Sequence, residues 1–261
     1  MKQPMNLTVK TLLLVVWGLL YAGLGFAQGN SSFLVVTDQF PPYSYLHKGQ
    51  LTGVAVDIVS ELIHRTGYPG KIVVRPWERV LKHAGEQQKM LFPFTRRPYR
   101  EKHYKWIGPI LDDRFVVSVP ASDTKIYQAM ADVRTLRIGV VRSTPTEARL
   151  RALEFPHIQP VSAETLNAKK LIMGQRIDAW YSSWLIMKHT IRITGLDERK
   201  IRIAVNDVNV QMYIGASLGI PDETVHRWQH HLDDMHADGT YARILKKNSI
   251  EWNEPLRLSH P

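Results

Sequence analysis

Apolar and polar positions alternate between two regimes along this chain. Short, nearly unbroken apolar runs such as Phe33-Leu34-Val35-Val36 and Lys71-Ile72-Val73-Val74 have the length and composition of buried strands. Between them, apolar residues recur at helical spacing: after Gly53, the residues Ala55, Ile58, Val59, Leu62 and Ile63 fall on one face of a helix. Trp77 to Ala84 reads as a short second helix, and Met90-Leu91-Phe92-Pro93-Phe94 as a third apolar run, followed by the basic segment Thr95 to Arg100. Trp106 to Ile110 and Phe115 to Val119 are separate apolar runs, with Pro120 breaking the latter. A second cycle then opens. Arg137 to Val141 predicts a strand, and Ser143-Thr144-Pro145-Thr146-Glu147 a helix entry with capping hydroxyls and an early acid. Ala163 to Met173 predicts a helix broken by Gly174, and Ile177 to Tyr181 another strand. The chain ends in helices over Pro221 to Met235 and Tyr241 to Lys246, with Asp238-Gly239-Thr240 as the turn between them.

Strands alternating with helices point to an α/β protein, and two similar modules separated near residues 112–120 predict two lobes. The loop Phe40-Pro41-Pro42-Tyr43-Ser44-Tyr45, at the end of the first strand, sets ring faces on a stiff backbone where a small ligand can rest.

Composition adds an address. Lys2 and Lys10 precede a nearly continuous apolar stretch from Leu12 to Phe26, and Gly25-Phe26-Ala27 offers small residues at the positions a signal peptidase reads. Residues 1–27 are therefore expected to be a cleaved signal peptide, leaving a periplasmic chain of 234 residues. Its removal takes away two lysines and no acid, lowering the net charge from +10 to +8. Without cysteine there is neither a disulfide nor a lipid-attachment site. The charges are scattered and mixed in sign, so the basic excess is read as a solvated surface favouring anionic ligands, with no nucleic-acid partner.

The strongest chemical candidate is Thr95-Arg96-Arg97-Pro98-Tyr99-Arg100-Glu101. A guanidinium presents a planar fork of donors that matches a carboxylate. Arg96 and Arg97 read as solvated loop residues. His226 and His230 are spaced i, i+4, as a zinc pair can be, but no glutamate stands between them in the protease pattern. A solvated helix face is the better reading, and neither metal nor cofactor is expected.

The stretches 33–63, 93–109 and 233–246 resemble the bacterial extracellular solute-binding proteins of family 3, the polar amino acid receptors of ABC importers. The resemblance implies an α/β, two-lobed periplasmic-binding-protein fold of type II, each lobe a sheet flanked by helices, with a ligand cleft at the hinge. It further implies that the terminal helices return to the first lobe. Residues 28–114 and 212–261 would then form lobe one, and residues 115–211 lobe two. Carried over by position, Arg100 would clamp a ligand carboxylate with Thr95 beside it, Phe40 would stack on the ligand, and Tyr43 would be a weaker aromatic candidate. Ser143 and Thr144 stand where the family holds the carboxylate from lobe two, and equally suit a plain helix cap.

Two departures bear on the ligand. The acid that pairs with an amino acid's ammonium in the family aligns with Ser183, following Gly174-Gln175-Arg176-Ile177-Asp178-Ala179. The floor Met90 to Phe94, with Phe92 and Phe94, is apolar where amino acid binders commonly carry small hydroxyl residues. A carboxylate without an ammonium, or a flatter apolar anion, fits better than lysine, arginine or histidine. The expectation is a monomeric, non-enzymatic periplasmic receptor that closes on a small anionic or amino-acid-like ligand and serves an ABC transporter permease or a membrane sensor. Asp38, at the end of the first strand, is a further candidate ligand residue and equally suits a hydrogen-bonding structural role. The alternative function is an enzyme resembling cyclohexadienyl dehydratase, for which Asp38 is the candidate general acid.

Overall fold

The computed structural model describes residues 33–82, 88–174 and 176–250. The expected signal peptide, residues 1–27, lies outside them. Among the described residues the strands are β1 (Leu34–Thr37), β2 (Tyr45–His47), β3 (Gln50–Thr52), β4 (Ile72–Val74), β5 (Lys89–Thr95), β6 (Tyr104–Pro120), β7 (Ile138–Val141), β8 (Ile158–Val161), β9 (Ala179–Ser183) and β10 (Ile201–Ser217). The helices are α1 (Val54–Thr66), α2 (Trp77–Lys82), α3 (Pro145–Ala152), α4 (Glu164–Ile172), α5 (Trp184–Thr194), α6 (Asp222–Ala237) and α7 (Thr240–Lys247).

Eight strands make one mixed sheet in the order β4-β1-β5-β10-β6-β9-β7-β8. Its middle is the antiparallel ladder of β6 and β10, 17 residues each, paired from Ser217 opposite Tyr104 to Ile201 opposite Pro120. β5 joins β10 only at Met212–Ala216, near one end, and β9 joins β6 only at Phe115–Ser118, toward the other. The parallel strands β4-β1-β5 and β9-β7-β8 therefore hang from opposite ends of the ladder, which makes two lobes.

Each lobe has its own apolar packing. In the first, Val35, Ile58, Leu62, Met90, Phe92 and Ile107 meet Trp228, Leu232 and Met235 of α6. In the second, Val117, Val140, Leu150 and Tyr181 pack on one face of the sheet and Ala168, Leu171, Trp180 and Met187 form another cluster. The predicted face of α1 is buried at Ala55, Ile58, Val59 and Leu62. At its entry Gly53 has φ 126°, and a Cβ there would lie 2.3 Å from the Tyr43 carbonyl oxygen. Only glycine allows that approach, and it lets the Ala55 N–H donate to the Tyr43 carbonyl at 3.0 Å. The aromatic loop is thereby tied to the helix start.

Three readings of the pattern change. The runs at 106–110 and 115–119 are one strand, β6. The strand expected at 177–181 is Ala179–Ser183, and Ser183 caps the unexpected α5 by accepting from the Ile186 N–H at 3.2 Å. The long strand β10 was not anticipated.

Candidate functional site

A cavity of about 290 Å³ opens between the lobes where the ladder passes from one to the other. From the first lobe, Phe40, Trp77, Phe94, Thr95, Arg97 and Arg100 face it; from the second, Thr144, Thr146, Glu164, Ser182 and Ser183 do. Asp113 of β6 and Met212 of β10 line it from the ladder.

The first-lobe wall is aromatic and basic. Phe94 stacks on Trp77 at 5.6 Å and on Trp106 at 5.7 Å between ring centroids. The Arg100 guanidinium lies 4.1 Å from the centre of the Phe94 ring, a cation–π contact, and its Nη1 donates to the Thr95 carbonyl at 2.9 Å and hydroxyl at 3.2 Å. Arg96 is paired with Glu101 at 2.6 Å. Among the described residues no carboxylate lies within ion-pair distance of Arg100, so the fork keeps donors for an anion.

The ladder and the second lobe carry acids. Asp113 is 1% exposed, and its Oδ2 accepts from both the Tyr43 and Ser183 hydroxyls. Its Oδ1 accepts from the Arg114 N–H at 2.7 Å and the Leu185 N–H at 3.4 Å. Burial pushes this carboxyl up from its ordinary pKa, outweighing the donors that pull it down. Burial, then the Asp113 charge, also raises Tyr43. Glu164 opens α4 and accepts from Ser182 Oγ and Trp180 Nε1, each at 2.7 Å. Its carboxyl is raised too, again by desolvation first. Among the described residues neither acid meets a basic side chain within ion-pair distance.

Six of the residues singled out in the sequence line this cavity: Arg100, Thr95, Phe40, Tyr43, Thr144 and Ser183. Phe40 is 41% exposed, whereas Tyr43 is fully buried with its hydroxyl on Asp113. Thr144 caps α3, its Oγ1 accepting from the Glu147 N–H at 3.3 Å. Two others are not among the lining residues. Asp38 accepts from the Trp77 N–H at 2.9 Å, capping α2, and from the Gln39 N–H at 2.7 Å. Ser143 is exposed, with its N–H donating to Glu147 Oε2 at 2.6 Å. Asp113 and Glu164 escaped the sequence reading. Asp113 lies in the polar interval Asp112-Asp113-Arg114 between two apolar runs, and an acid in the first turn of a helix is commonplace.

A two-lobed α/β clamp around such a cavity defines a periplasmic binding protein of type II. The chain belongs to the bacterial extracellular solute-binding proteins, family 3, whose family model matches residues 34–249. No curated protein matches the sequence. Among solved structures, the second substrate-binding domain of a putative amino acid ABC transporter from Streptococcus pneumoniae is similar at 15% identity, covering 83% of this chain and 99% of that one, TM-score 0.67. A histidine kinase sensor domain with similarity to periplasmic binding proteins shares 16% identity over 84% of this chain and 96% of its own, TM-score 0.65. An ancestral amino acid-binding protein, described as a precursor of cyclohexadienyl dehydratase, shares 18% over 83% and 94%, TM-score 0.63.

Proposed function

We propose that this protein captures a small carboxylate-bearing solute in the periplasm by closing its two lobes and delivers it to an ABC importer. Residues 28–114 and 212–261 act as one lobe and 115–211 as the other. The observation that carries the reading is Arg100, a guanidinium on the cavity wall with no carboxylate of its own among the described residues. In this account Arg100 and Thr95 hold the ligand carboxylate, Phe40 covers its apolar part, and Thr144 meets it from the second lobe. Closure is favoured because contacts from both walls exist only when the lobes meet.

The ligand is not a basic amino acid. Ser183 stands where an acid would meet an ammonium, and its hydroxyl donates to Asp113, whose oxygens already take two hydroxyls and two backbone N–H groups. Glu164, held toward its neutral form by desolvation, suits a neutral donor such as an amide or hydroxyl at the far end of the ligand. A thermal-shift screen of carboxylates and amino acids tests this. A hit should raise the melting temperature with concentration, and Arg100→Ala should abolish the shift. Submicromolar binding of arginine, lysine or histidine would refute the ligand class.

One observation favours a second reading, a dehydratase-like enzyme. Such chemistry needs a general acid in the cleft. Asp38, the candidate from sequence, is engaged in capping α2, whereas Glu164 lines the cavity with a raised pKa. Turnover of a cyclohexadienyl carboxylate that Glu164→Gln removes would establish the enzyme.

A further inference from the structure

A second cavity, of about 310 Å³, lies on the other side of α5. The two cavities share no lining residue, because α5 turns Ile186 to the first and Leu185, Lys188, His189 and Arg192 to the second. This one also spans both lobes. Pro42, Tyr45 and Val54 close it from the first, and Asn248–Ile250, just past α7, form a further side. Its apolar surface comes from Val54, Leu185, Ile191, Leu196 and Ile250.

The charges in it are unequal. Lys188 is answered by Glu198, with Nζ 3.3 Å from Oε1. Arg192 has no carboxylate within ion-pair distance among the described residues; its Nη2 lies 3.2 Å from His189 Nδ1. Arginine can only donate, so Nδ1 accepts and the neutral ring carries its proton on Nε2. His189 is 9% exposed, packed edge-on against Tyr45 at 5.2 Å. Desolvation, then the Arg192 charge, lowers its pKa, which keeps the ring neutral and the arrangement intact at pH 7. Tyr45, Lys188, Arg192 and Glu198 are the titratable side chains that share this cavity with it.

We propose that this cavity is a second ligand site, taking a small amphipathic monoanion whose carboxylate or sulfonate meets Arg192 and whose hydrocarbon body lies on the apolar surface. The cation without a carboxylate selects the anion. The apolar wall and the limited volume select a compact aryl or alkyl body. Because both lobes contribute, an occupant bridges them independently of the cleft.

The probe is 8-anilinonaphthalene-1-sulfonate, an aryl sulfonate whose fluorescence rises in apolar surroundings. The native protein should give a saturable, blue-shifted enhancement near one equivalent. Arg192→Gln should weaken its affinity about tenfold or more, and Leu196→Trp, which fills the apolar surface, should do likewise. Near-ultraviolet circular dichroism establishes that each variant is folded. Arg100→Gln, which removes the anion contact of the cleft, reports any dye held there and should leave the Arg192-dependent component of the enhancement unchanged. No enhancement with native protein overturns the proposal, as does an enhancement indifferent to both second-cavity variants. Loss in Arg100→Gln alone would place the dye in the cleft and also overturn it. The cleft reading stands or falls separately, on the solute screen.

Discussion

Arg100 and Asp113 face one cavity in opposite electrostatic situations. Arg100 rests on Phe94 and Thr95 with donors to spare, while Asp113 is buried under four donors. Truncating Arg100 to Ala should weaken binding of a carboxylate ligand by about 2–5 kcal/mol, the usual cost of deleting one member of a desolvated charge pair. Arg100→Lys should recover little, since an ammonium lacks the planar fork. Calorimetry on both variants checks this. Tyr43→Phe removes one donor from a buried carboxylate and should cost about 1–3 kcal/mol of stability in a denaturant melt, with no change in the slope. Ser183→Asp would seem from sequence to restore an ammonium site. In the structure it sets a second carboxylate against Asp113, so it should destabilise the fold more at pH 7 than at pH 4, where like charges are partly neutralised. Equal melting temperatures for Ser183→Asp and the native protein at pH 7 would contradict the geometry.

Among the elements, the turn between α6 and α7 shows how the C-terminal helices are held to the first lobe. Asp238 accepts from the Thr240 N–H at 2.8 Å and pairs with Arg65 of α1 at 2.8 Å. The Thr240 contacts, with Arg65, lower its pKa to about 2. A carboxylate lowered in the folded state stabilises above its unfolded value, about 4, and loses that contribution as pH falls toward about 2. Asp238→Asn should therefore flatten this part of the acid limb in melting temperature between pH 5 and 2; an unchanged limb would show the pairing to be without effect. Much at this scale was legible: α1, α3, α4, α6 and α7 follow the spacing of their apolar residues and caps. The middle strands were not. In β10, Ile201, Ile203 and Val205 alternate, and Val208, Val210 and Met212 alternate again in the opposite phase. The ladder shifts register between Ile203 and Val205 and again between Asn206 and Val208, bulges that break period two while the pairing continues. Likewise Asp112-Asp113-Arg114 reads as a break, but β6 runs through because Tyr43 and Ser183 satisfy the buried Asp113. The same fact hid part of the site: Arg100 and Thr95 stand out in a basic loop, whereas an acid buried in a ladder leaves no local signal.

For the whole molecule, two lobes hang from one ladder of 17-residue strands, and segments far apart in sequence share the first core. Such a body presents a cavity on each side of α5, one lined by Arg100 and one by Arg192. The proposed periplasmic role carries its own expectation: mass spectrometry of the periplasmic fraction should find a mature N-terminus at Gln28, and an intact Met1 there would remove the signal-peptide reading. In the cleft, a carboxylate ligand is proposed to be held by Arg100. The direct measurement is calorimetric titration of the solute with the largest thermal shift into native protein and Arg100→Ala side by side. One site per chain is expected in the native protein, with a loss of roughly 30-fold or more in the variant, the equivalent of about 2 kcal/mol. Equal affinity in a folded Arg100→Ala protein would contradict it.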